Sequence, residues 1–318
     1  MHRTRALLIA SLFVTALAHA AVDQPLHRTF NVAPGGTLTI DADVGDVRVS
    51  SGGNGVTVDV RRHARSEDEL RDLDIHFSQS GNDVTVTAKN NHGTRWFSWG
   101  FGVNVEFIVT VPSRYNLHLG TAGGDVHISD VAGNVYARTS GGDLDLGRIN
   151  GPVDARTSGG DVRLDGASGT VDLRTSGGSI RIGDAAGAVQ ARSSGGSIEA
   201  RHVGGDLYAH TSGGSITVED ALGAIDADTS GGSIHARFSR QPQADSRLST
   251  SGGGITVSVA GNVALDLDAH SSGGGVETDV PVTILGHQSE ESVAGKINGG
   301  GPRLVLRSSG GGIHVKRM

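Results

Sequence analysis

The chain has no cysteine and only 7 prolines among its 318 residues. Without cysteine no disulfide can stabilise the fold, so stability must come from burial and hydrogen bonding over a long chain. With so little proline, the 50 glycines do not fit the composition of a disordered Pro/Gly-rich linker. We therefore expect the glycines to occupy defined structural positions.

Long hydrophobic runs are also missing, apart from one near the start. The apolar run 6–17 follows a basic segment, 2–5, and precedes the sequence AHA at 18–20. This order is typical of a secretory signal peptide, and the run is shorter than the about 20 residues that a membrane-spanning helix needs. We expect cleavage after Ala20, giving an exported protein, periplasmic or extracellular, whose mature chain has no transmembrane span. A lipid anchor would need a cysteine at the cleavage site, and the chain has none.

Basic residues are in the minority, with 27 Lys and Arg against 34 Asp and Glu. Nucleic-acid-binding proteins depend on basic patches, so we expect no nucleic-acid partner. The sequence also lacks a GxSxG nucleophile elbow, an HExxH motif and a phosphate-binding loop, and its aspartates and histidines are scattered. We predict no catalytic residues, no cofactor and a protein that is not an enzyme.

A nine-residue repeat occupies the middle of the chain. From Gly124 to Gly232 a glycine recurs every nine residues, and the residues two and four positions later are apolar each time. This alternation predicts half-buried strands of about five residues separated by turns. Full identity returns after eighteen residues, because the corner TSGG alternates with looser corners such as VAGN and INGP. One eighteen-residue unit therefore holds two strands and two glycine-rich turns.

Two architectures fit this unit: an antiparallel meander, and a β-solenoid in which each unit is one coil. The second core position is large after SGG, as in Leu146 and Leu164, but mostly alanine in the alternate strands, as in Ala155. Large residues facing small ones suit two sheets that share a thin core. Glycine suits the corners, since a tight turn often needs a positive φ and no Cβ. We predict an all-β fold, a β-solenoid formed by one chain with 18-residue coils and irregular, capped ends.

The repeat also divides the chain. Residues 21–119 are rich in strands without a strict period, and we expect an irregular, capped start of the solenoid there, with a helical turn or two at 65–73. Residues 120–238 form the regular solenoid. Residues 239–318 contain degenerate repeats, and we expect 281–302 to fold over the open end as a cap, because unpaired sheet edges must be covered.

An acidic column is expected where Asp125, Asp143 and Asp161 fall at equivalent positions of successive coils. Stacked carboxylates repel unless they are solvated or bridged by a cation. The calcium-binding nonapeptide G-G-x-G-x-D is not matched, and the position becomes serine from Ser179 onward. We favour a solvated column and predict no metal site.

A basic column is expected just before each TSGG-type corner. Its members are Arg138, Arg156, Arg174 and Arg192. Such a column can bind anionic glycans or lipid headgroups. The alternative is that the arginines lie against neighbouring carboxylates such as Asp154 and Asp172 and keep the surface soluble.

Aromatic residues are rare, at 4% of the chain, yet both tryptophans fall in the stretch RWFSWGFG at 95–102. The candidate binding residues there are Trp96, Phe97, Trp99 and Phe101. An exposed patch of this kind can contact sugars, a membrane surface or a partner protein. The alternative is a hydrophobic plug that covers the first coil.

Three segments resemble one bacterial family: GGTLTIDADVGDVRV at 35–49, FIVTVPSRYNLHLGTAGGDV at 107–126, and the repeated TSGG units. Together they resemble the DUF4097 proteins, a family of β-strand repeats described as adhesins. The resemblance implies a β-solenoid in envelope or surface proteins with adhesion or envelope-stress roles, and it brings no catalytic residues with it.

These observations predict an exported, non-enzymatic scaffold or binding surface in the bacterial envelope, with an envelope glycan or protein as its partner. One alternative is a polysaccharide-active enzyme on the same fold, which would need two or three carboxylates in one groove. The other is an envelope-stress binder of cationic peptides, which the negative net charge of −7 permits.

Overall fold

The computed structural model describes residues 22–64, 67–71, 73–90, 104–285 and 289–318. The predicted signal peptide and the aromatic stretch lie outside these ranges. The elements are β1 (Val22–Asp23), β2 (Leu26–Phe30), β3 (Thr37–Ala42), β4 (Asp46–Ser51), β5 (Val56–Ala64), α1 (Glu67–Arg71), β6 (Leu73–Ser80), β7 (Asp83–Asn90), β8 (Asn104–Val111), β9 (Asn116–Thr121), β10 (Val126–Ile128), β11 (Val131–Ala132), β12 (Val135–Arg138), β13 (Leu144–Asn150), β14 (Val153–Arg156), β15 (Val162–Ala167), β16 (Val171–Arg174), β17 (Ile180–Ala185), β18 (Val189–Ser193), β19 (Ile198–Val203), β20 (Leu207–Thr211), β21 (Ile216–Ala221), β22 (Ile225–Thr229), β23 (Ile234–Phe238), β24 (Ser246–Thr250), β25 (Ile255–Val259), β26 (Leu265–Ser271), β27 (Val276–Thr278), β28 (Val282–Ile284), β29 (Ser292–Ile297), β30 (Arg303–Ser308) and β31 (Ile313–Arg317).

The described strands form two sheets that face each other. Sheet I has 16 strands in the order β1-β5-β8-β4-β10-β13-β15-β17-β19-β21-β23-β25-β31-β27, with β2 on β5 and β11 on β13. Sheet II has 15 strands in the order β28-β29-β26-β30-β24-β22-β20-β18-β16-β14-β12-β9-β3-β7-β6. In the middle of the molecule the chain alternates between the sheets, so that each coil gives one strand to each.

Successive coils pair in parallel with a shift of eighteen residues. Val153 lies opposite Val171 in sheet II, and Val162 lies opposite Ile180 in sheet I. A meander would have paired neighbouring strands antiparallel. The predicted β-solenoid with 18-residue coils is therefore confirmed.

The core is one continuous layer between the sheets. Alternate residues of each strand point inward, as in β15, where Val162 and Leu164 are each 1% exposed while Arg163 and Asp165 face the solvent. Because equivalent residues repeat in every coil, the core residues form columns that run the length of the solenoid.

Both ends of the solenoid depart from chain order. The coil β3–β4 lies between β7–β8 and β9–β10, and the coil β30–β31 lies between β24–β25 and β26–β27. Antiparallel strands form the outermost layers: β6 pairs with β7, and β28 and β29 extend the sheet beyond β26. The strands β29 and β28 thus cover the edge of sheet II that β26 would otherwise expose.

The corner glycines are explained by close packing between coils. A Cβ on Gly178 would lie 2.6 Å from Asp161 Oδ1 and closer still to the carbonyl of Gly160, the equivalent glycine one coil away. Neither Gly160 nor Gly178 has a left-handed φ. Within the described residues such φ values occur elsewhere, as at Gly45 and Gly133. The expectation of a positive φ at the TSGG corner is wrong, whereas the need for a residue without Cβ holds.

The threonine of each TSGG corner is buried and joins two coils. Thr175, 6% exposed, donates its hydroxyl to the Gly160 carbonyl at 2.8 Å and accepts the Gly178 N–H at 3.2 Å. Thr157, Ser193 and the corresponding residues of other coils donate to the adjacent coil in the same way. The buried threonine or serine at this position therefore bonds successive corners together, whereas the serine that follows it, as at Ser176, is exposed.

Candidate functional site

The outer face of sheet II carries two adjacent columns of functional side chains on the strands β12 to β20. The first, the tyrosine column, contains Tyr136, Asp154, Asp172, Gln190 and Tyr208. The second, the arginine column, contains Arg138, Arg156, Arg174, Arg192 and His210. We call the two columns together the tyrosine–arginine face.

Ion pairs link the two columns at the centre of this face. Arg156 Nη2 lies 2.7 Å from Asp154 Oδ2 and 3.6 Å from Asp172 Oδ2. Arg174 donates from Nε and Nη2 to the two oxygens of Asp172, at 2.9 and 2.8 Å, and Nη2 also lies 3.4 Å from Gln190 Oε1. The two central arginines therefore lie against neighbouring carboxylates, as the alternative interpretation of the sequence expected.

Partial burial and hydrogen bonding shift the pKa values of Asp154 and Arg174. Burial raises the pKa of Asp154 above its ordinary value, and Asp172 adds to the rise while Arg156 opposes it. The hydrogen bond to Asp172 raises the pKa of Arg174. Asp154 Oδ1 and Arg156 Nε are buried without a hydrogen-bond partner among the described residues. The centre of the face is therefore a partly desolvated and ordered polar network.

At the two ends of the face, the arginines are not paired with carboxylates of the described residues. The guanidinium of Arg192 lies over the ring of Tyr208, 4.7 Å from its centroid. Tyr136 packs edge-on against His118, with 4.6 Å between the ring centroids and an angle of 73°. Arg138 makes no ion pair within the part of the chain that the structure describes. Arg138 and Arg192 thus keep positive charge available at the two ends.

The tyrosines are concentrated on this face. The chain has 3 tyrosines, of which Tyr115 is fully buried at the N-terminal end of the solenoid. Tyr136 and Tyr208 are half-buried and occupy the same column. Burial raises the pKa of Tyr115 to about 12, and its hydroxyl donates to the carbonyl of Asn82. Both tyrosines that remain accessible therefore lie on one side of the molecule.

Two grooves border the face. A groove of about 760 Å³ runs beside the tyrosine column, from Tyr136 to Asp226, and its other wall is formed by corner residues such as Pro152 and Thr170. A groove of about 390 Å³ runs beside the arginine column and is edged by the exposed hydroxyls of Ser158 and Ser176. Both grooves run across successive coils, parallel to the axis of the solenoid, and so suit an extended ligand.

A third groove, of about 780 Å³, lies along the bend of sheet I. Buried apolar residues such as Ile149 and Val203 form its floor. On its rim Asp184 lies 3.9 Å from Arg148 and 3.3 Å from His202. Asp184 is paired along this rim, and among the described residues no tyrosine, phenylalanine or tryptophan lines the groove, so it lacks the features that distinguish the tyrosine–arginine face.

The acidic column has a structural role. Asp125 Oδ1 accepts the N–H of Asp143 at 2.8 Å, and Asp143 Oδ1 accepts that of Asp161 at 2.7 Å. Asp161 bonds Ser179 in the same way, and Ser179 Oγ takes over as acceptor for the next coil. Among the described residues no group of three His, Asp or Glu is arranged to hold a metal ion.

The carboxylate pair Asp154 and Asp172 bears on the enzymatic alternative. Glycoside hydrolases use two carboxyl groups, one of which protonates the leaving group while the other acts on the sugar or on water. Here both oxygens of Asp172 accept hydrogen bonds from Arg174, and Asp154 is paired with Arg156. Both oxygens of Asp172 are thus occupied, whereas Asp154 keeps Oδ1 without a partner among the described residues.

The sequence-based candidates have different outcomes. The structure brings Arg138, Arg156, Arg174 and Arg192 together in one column. Trp96, Phe97, Trp99 and Phe101 lie outside the described residues. The tyrosine column was missed, although it could have been found by following the position two residues before each arginine through the eighteen-residue register.

A comparison with protein families covers most of the chain. The sequence model of the Toastrack DUF4097 family matches residues 36–316. The chain belongs to the DUF4097 family. The resemblance noted in the sequence is thereby confirmed.

Several solved structures are similar to this DUF4097 chain over most of their length. A putative adhesin from Bacteroides fragilis is 14% identical, with a TM-score of 0.38, and the alignment covers 93% of this chain and 97% of the other. A putative adhesin from Parabacteroides merdae is 11% identical, with a TM-score of 0.37 and coverage of 93% and 96%. A putative lipid binding protein from Parabacteroides distasonis is 13% identical, with a TM-score of 0.34 and coverage of 92% and 96%. No curated protein matches the DUF4097 chain. In the described part, no helix has the length and hydrophobicity to cross a membrane.

Proposed function

We propose that this DUF4097 protein is an exported, non-enzymatic binding protein of the bacterial envelope, and that its tyrosine–arginine face binds an extended glycan during adhesion. The observation that carries the proposal is the placement of both accessible tyrosines, Tyr136 and Tyr208, in one column beside an ordered Arg–Asp–Gln network. The signal-peptide pattern at 1–20 and the family membership support export and the envelope.

The chemistry of the face suits sugars. A tyrosine ring offers a rigid apolar surface for the C–H groups of a pyranose, and its hydroxyl remains available for hydrogen bonds. Asp154, Asp172 and Gln190 offer acceptors, and Arg156 and Arg174 offer donors, to the ring of hydroxyls that surrounds each sugar. The face thus combines the two kinds of contact that a sugar requires.

The dimensions of the face suit a chain of several sugars. Tyr136 and Tyr208 are four coils apart, which at the spacing of paired strands is about 19 Å. Because the groove beside them runs along the solenoid axis, a ligand that contacts both rings must be extended in that direction. A monosaccharide would contact one ring alone and bind weakly.

The rigidity of the scaffold lowers the entropic cost of binding. Each side chain of the face stands on a strand that is hydrogen-bonded to both neighbouring coils. Arg174 is further held by its two bonds to Asp172. A ligand therefore does not have to order flexible side chains, which otherwise costs about 0.5–1.5 kcal/mol for each.

The test is calorimetric titration of the mature chain with purified envelope polysaccharides. The double variant Tyr136→Ala and Tyr208→Ala should lose binding by at least about thirtyfold while its Tm stays that of the wild type. Phe at both positions should retain most of the affinity, because the rings remain. The matched control, Arg163→Ala with Arg181→Ala, changes the outer face of sheet I and should leave binding unchanged.

Two outcomes would contradict the proposal. Wild-type affinity in the double alanine variant would show that the ligand does not lie on this face. Release of new reducing ends from a bound polysaccharide, abolished by Asp154→Asn, would establish the enzymatic alternative in place of a binding protein.

The aromatic residues at 95–102 are proposed as a second contact with envelope material. The variant Trp96→Ala with Trp99→Ala separates this role from that of a hydrophobic plug. Loss of binding with an unchanged Tm supports the contact, whereas a large fall in Tm supports the plug.

A further inference from the structure

We propose that the ligand of the tyrosine–arginine face is a sparsely anionic polysaccharide, with an acidic group on about every third sugar. This rests on the proposed glycan-binding function and adds the charge pattern that the face selects. The pattern follows from which arginines of the column are neutralised and which are not.

The arginine column contains two kinds of arginine. Arg156 and Arg174 in the centre are paired with Asp154 and Asp172 at 2.7 and 2.8 Å. At the two ends, Arg192 lies over the ring of Tyr208, and neither Arg192 nor Arg138 forms an ion pair among the described residues. An anionic ligand thus meets uncompensated positive charge at two places, each beside a tyrosine.

The distance between the two places sets the spacing of the charges. Arg138 and Arg192 occupy the same position in coils that are three apart, which corresponds to about 14 Å along the axis. One pyranose of an extended polysaccharide advances by a distance similar to the rise of one coil. Acidic groups on about every third sugar would therefore reach both arginines together.

The centre of the face disfavours a densely charged polymer. Asp154 and Asp172 leave no net positive charge between the two ends. A carboxylate on every sugar would place anionic groups against these aspartates, where like charges repel and displaced ion pairs are not replaced. Beyond Tyr208 the tyrosine column continues with Asp226, and His210 is paired with Asp228 at 3.2 Å, so positive charge does not extend further.

The experiment keeps one sugar backbone and varies its charge density. Polygalacturonan is prepared fully methyl-esterified, with roughly one sugar in three left as a free carboxylate, and fully de-esterified. The wild type should bind the intermediate preparation most tightly, by about tenfold or more over either extreme, in low-salt buffer. Higher salt should reduce this preference, because exposed charges are screened.

Variants of the face identify the charges responsible. Arg138→Gln and Arg192→Gln should each weaken binding of the intermediate preparation about tenfold, and should weaken it more than binding of the neutral preparation. Asp154→Asn with Asp172→Asn should strengthen binding of the fully charged preparation at least about fivefold, since Arg156 and Arg174 are then uncompensated. The amides still accept hydrogen bonds, and a Tm within a few degrees of the wild type confirms folding. Arg163→Gln with Arg181→Gln is the matched control on sheet I.

The possible results distinguish the proposed charge pattern from glycan binding itself. Equal affinity for all three preparations, lost in the tyrosine double variant, overturns the charge pattern and leaves glycan binding intact. Affinity that rises steadily with charge density overturns the selective role of the two aspartates. Failure to bind any preparation also overturns the inference for this backbone, and the titrations with envelope polysaccharides then decide separately whether the face binds glycans.

Discussion

Replacing the corner glycine Gly178 by alanine tests whether contact between coils explains the TSGG repeat. A real Cβ is essentially never found within 3.0 Å of such atoms, yet on Gly178 it would lie 2.6 Å from Asp161 Oδ1 and closer to the Gly160 carbonyl. The carbonyl is backbone and cannot rotate away. The two coils must therefore separate by close to 1 Å at this corner.

The magnitude follows from the hydrogen bonds that cross the corner. Gly177 N–H donates to the Ser158 carbonyl at 2.9 Å, Thr175 Oγ1 to the Gly160 carbonyl at 2.8 Å, and Ser179 N–H to Asp161 Oδ1 at 2.7 Å. A separation near 1 Å takes all three beyond hydrogen-bonding distance. At about 1 kcal/mol for each bond, Gly178→Ala should lower the free energy of unfolding by about 3 kcal/mol.

The assay is thermal unfolding by circular dichroism, together with urea titration. For a chain of this size the expected loss corresponds to a fall in Tm of about 5–10 °C. The control is Gly123→Ala, at the first glycine of the corner TAGG, where an added Cβ meets nothing within 4 Å. That control should be neutral or stabilising by a few tenths of a kcal/mol, because alanine restricts the unfolded chain. Equal midpoints for the two variants would refute the packing explanation.

Three further changes test the corner bonds and one ion pair. Thr175→Val should cost about 1–3 kcal/mol in urea unfolding, because it leaves buried backbone groups unpaired; Ser176→Ala beside it, on an exposed residue, should cost less than about 0.5 kcal/mol. Asp161→Ala should cost about 1 kcal/mol, whereas Asp161→Asn should cost little, since an acceptor for the next coil remains. Hydrogen bonding to Arg307 lowers the folded-state pKa of Asp268, so its contribution is present above its unfolded pKa, about 4, and is lost as pH falls through the lower folded value. Asp268→Asn should therefore flatten the dependence of Tm on pH below about 4.

One result for each of these three predictions would contradict it. A stable Thr175→Val variant would show that the buried hydroxyl bonds add nothing net. Equal losses for the alanine and asparagine variants of Asp161 would point to charge, and not the acceptor, as the role of that column. An unchanged acid slope for the Asp268 variant would mean that the carboxylate gains nothing from Arg307 in the folded state.

The coil was predictable from sequence because each of its requirements is local and repeated. The apolar residues at Val162 and Leu164 recur every eighteen residues, and a register slip would turn them to the solvent. The reason for glycine at Gly178 was not predictable, since it depends on how closely another coil approaches. Sequence shows that the corner needs a small residue, but the distance to Gly160 appears only in three dimensions.

The candidate site was predicted in part. The arginine column follows directly from the repeat, as Arg156 and Arg174 show. The direction of each guanidinium does not, because it depends on whether the neighbouring coil presents a carboxylate such as Asp172 or a ring such as Tyr208. The order of the end coils could not be predicted either: β30 pairs with both β24 and β26, and no local pattern in the sequence records such a choice.

Because the end coils pair out of chain order, the number of coils in the middle can change without changing how the two ends of the solenoid are closed. The coils β3–β4 and β30–β31 find their partners within their own end regions and in the first and last coils of the repeat block. An extra eighteen-residue unit inserted between Arg138 and Arg192 would leave both ends as they are and lengthen the face by about 4.8 Å. Under the proposed function, the number of coils between Arg138 and Arg192 would set the spacing of acidic groups that the face selects.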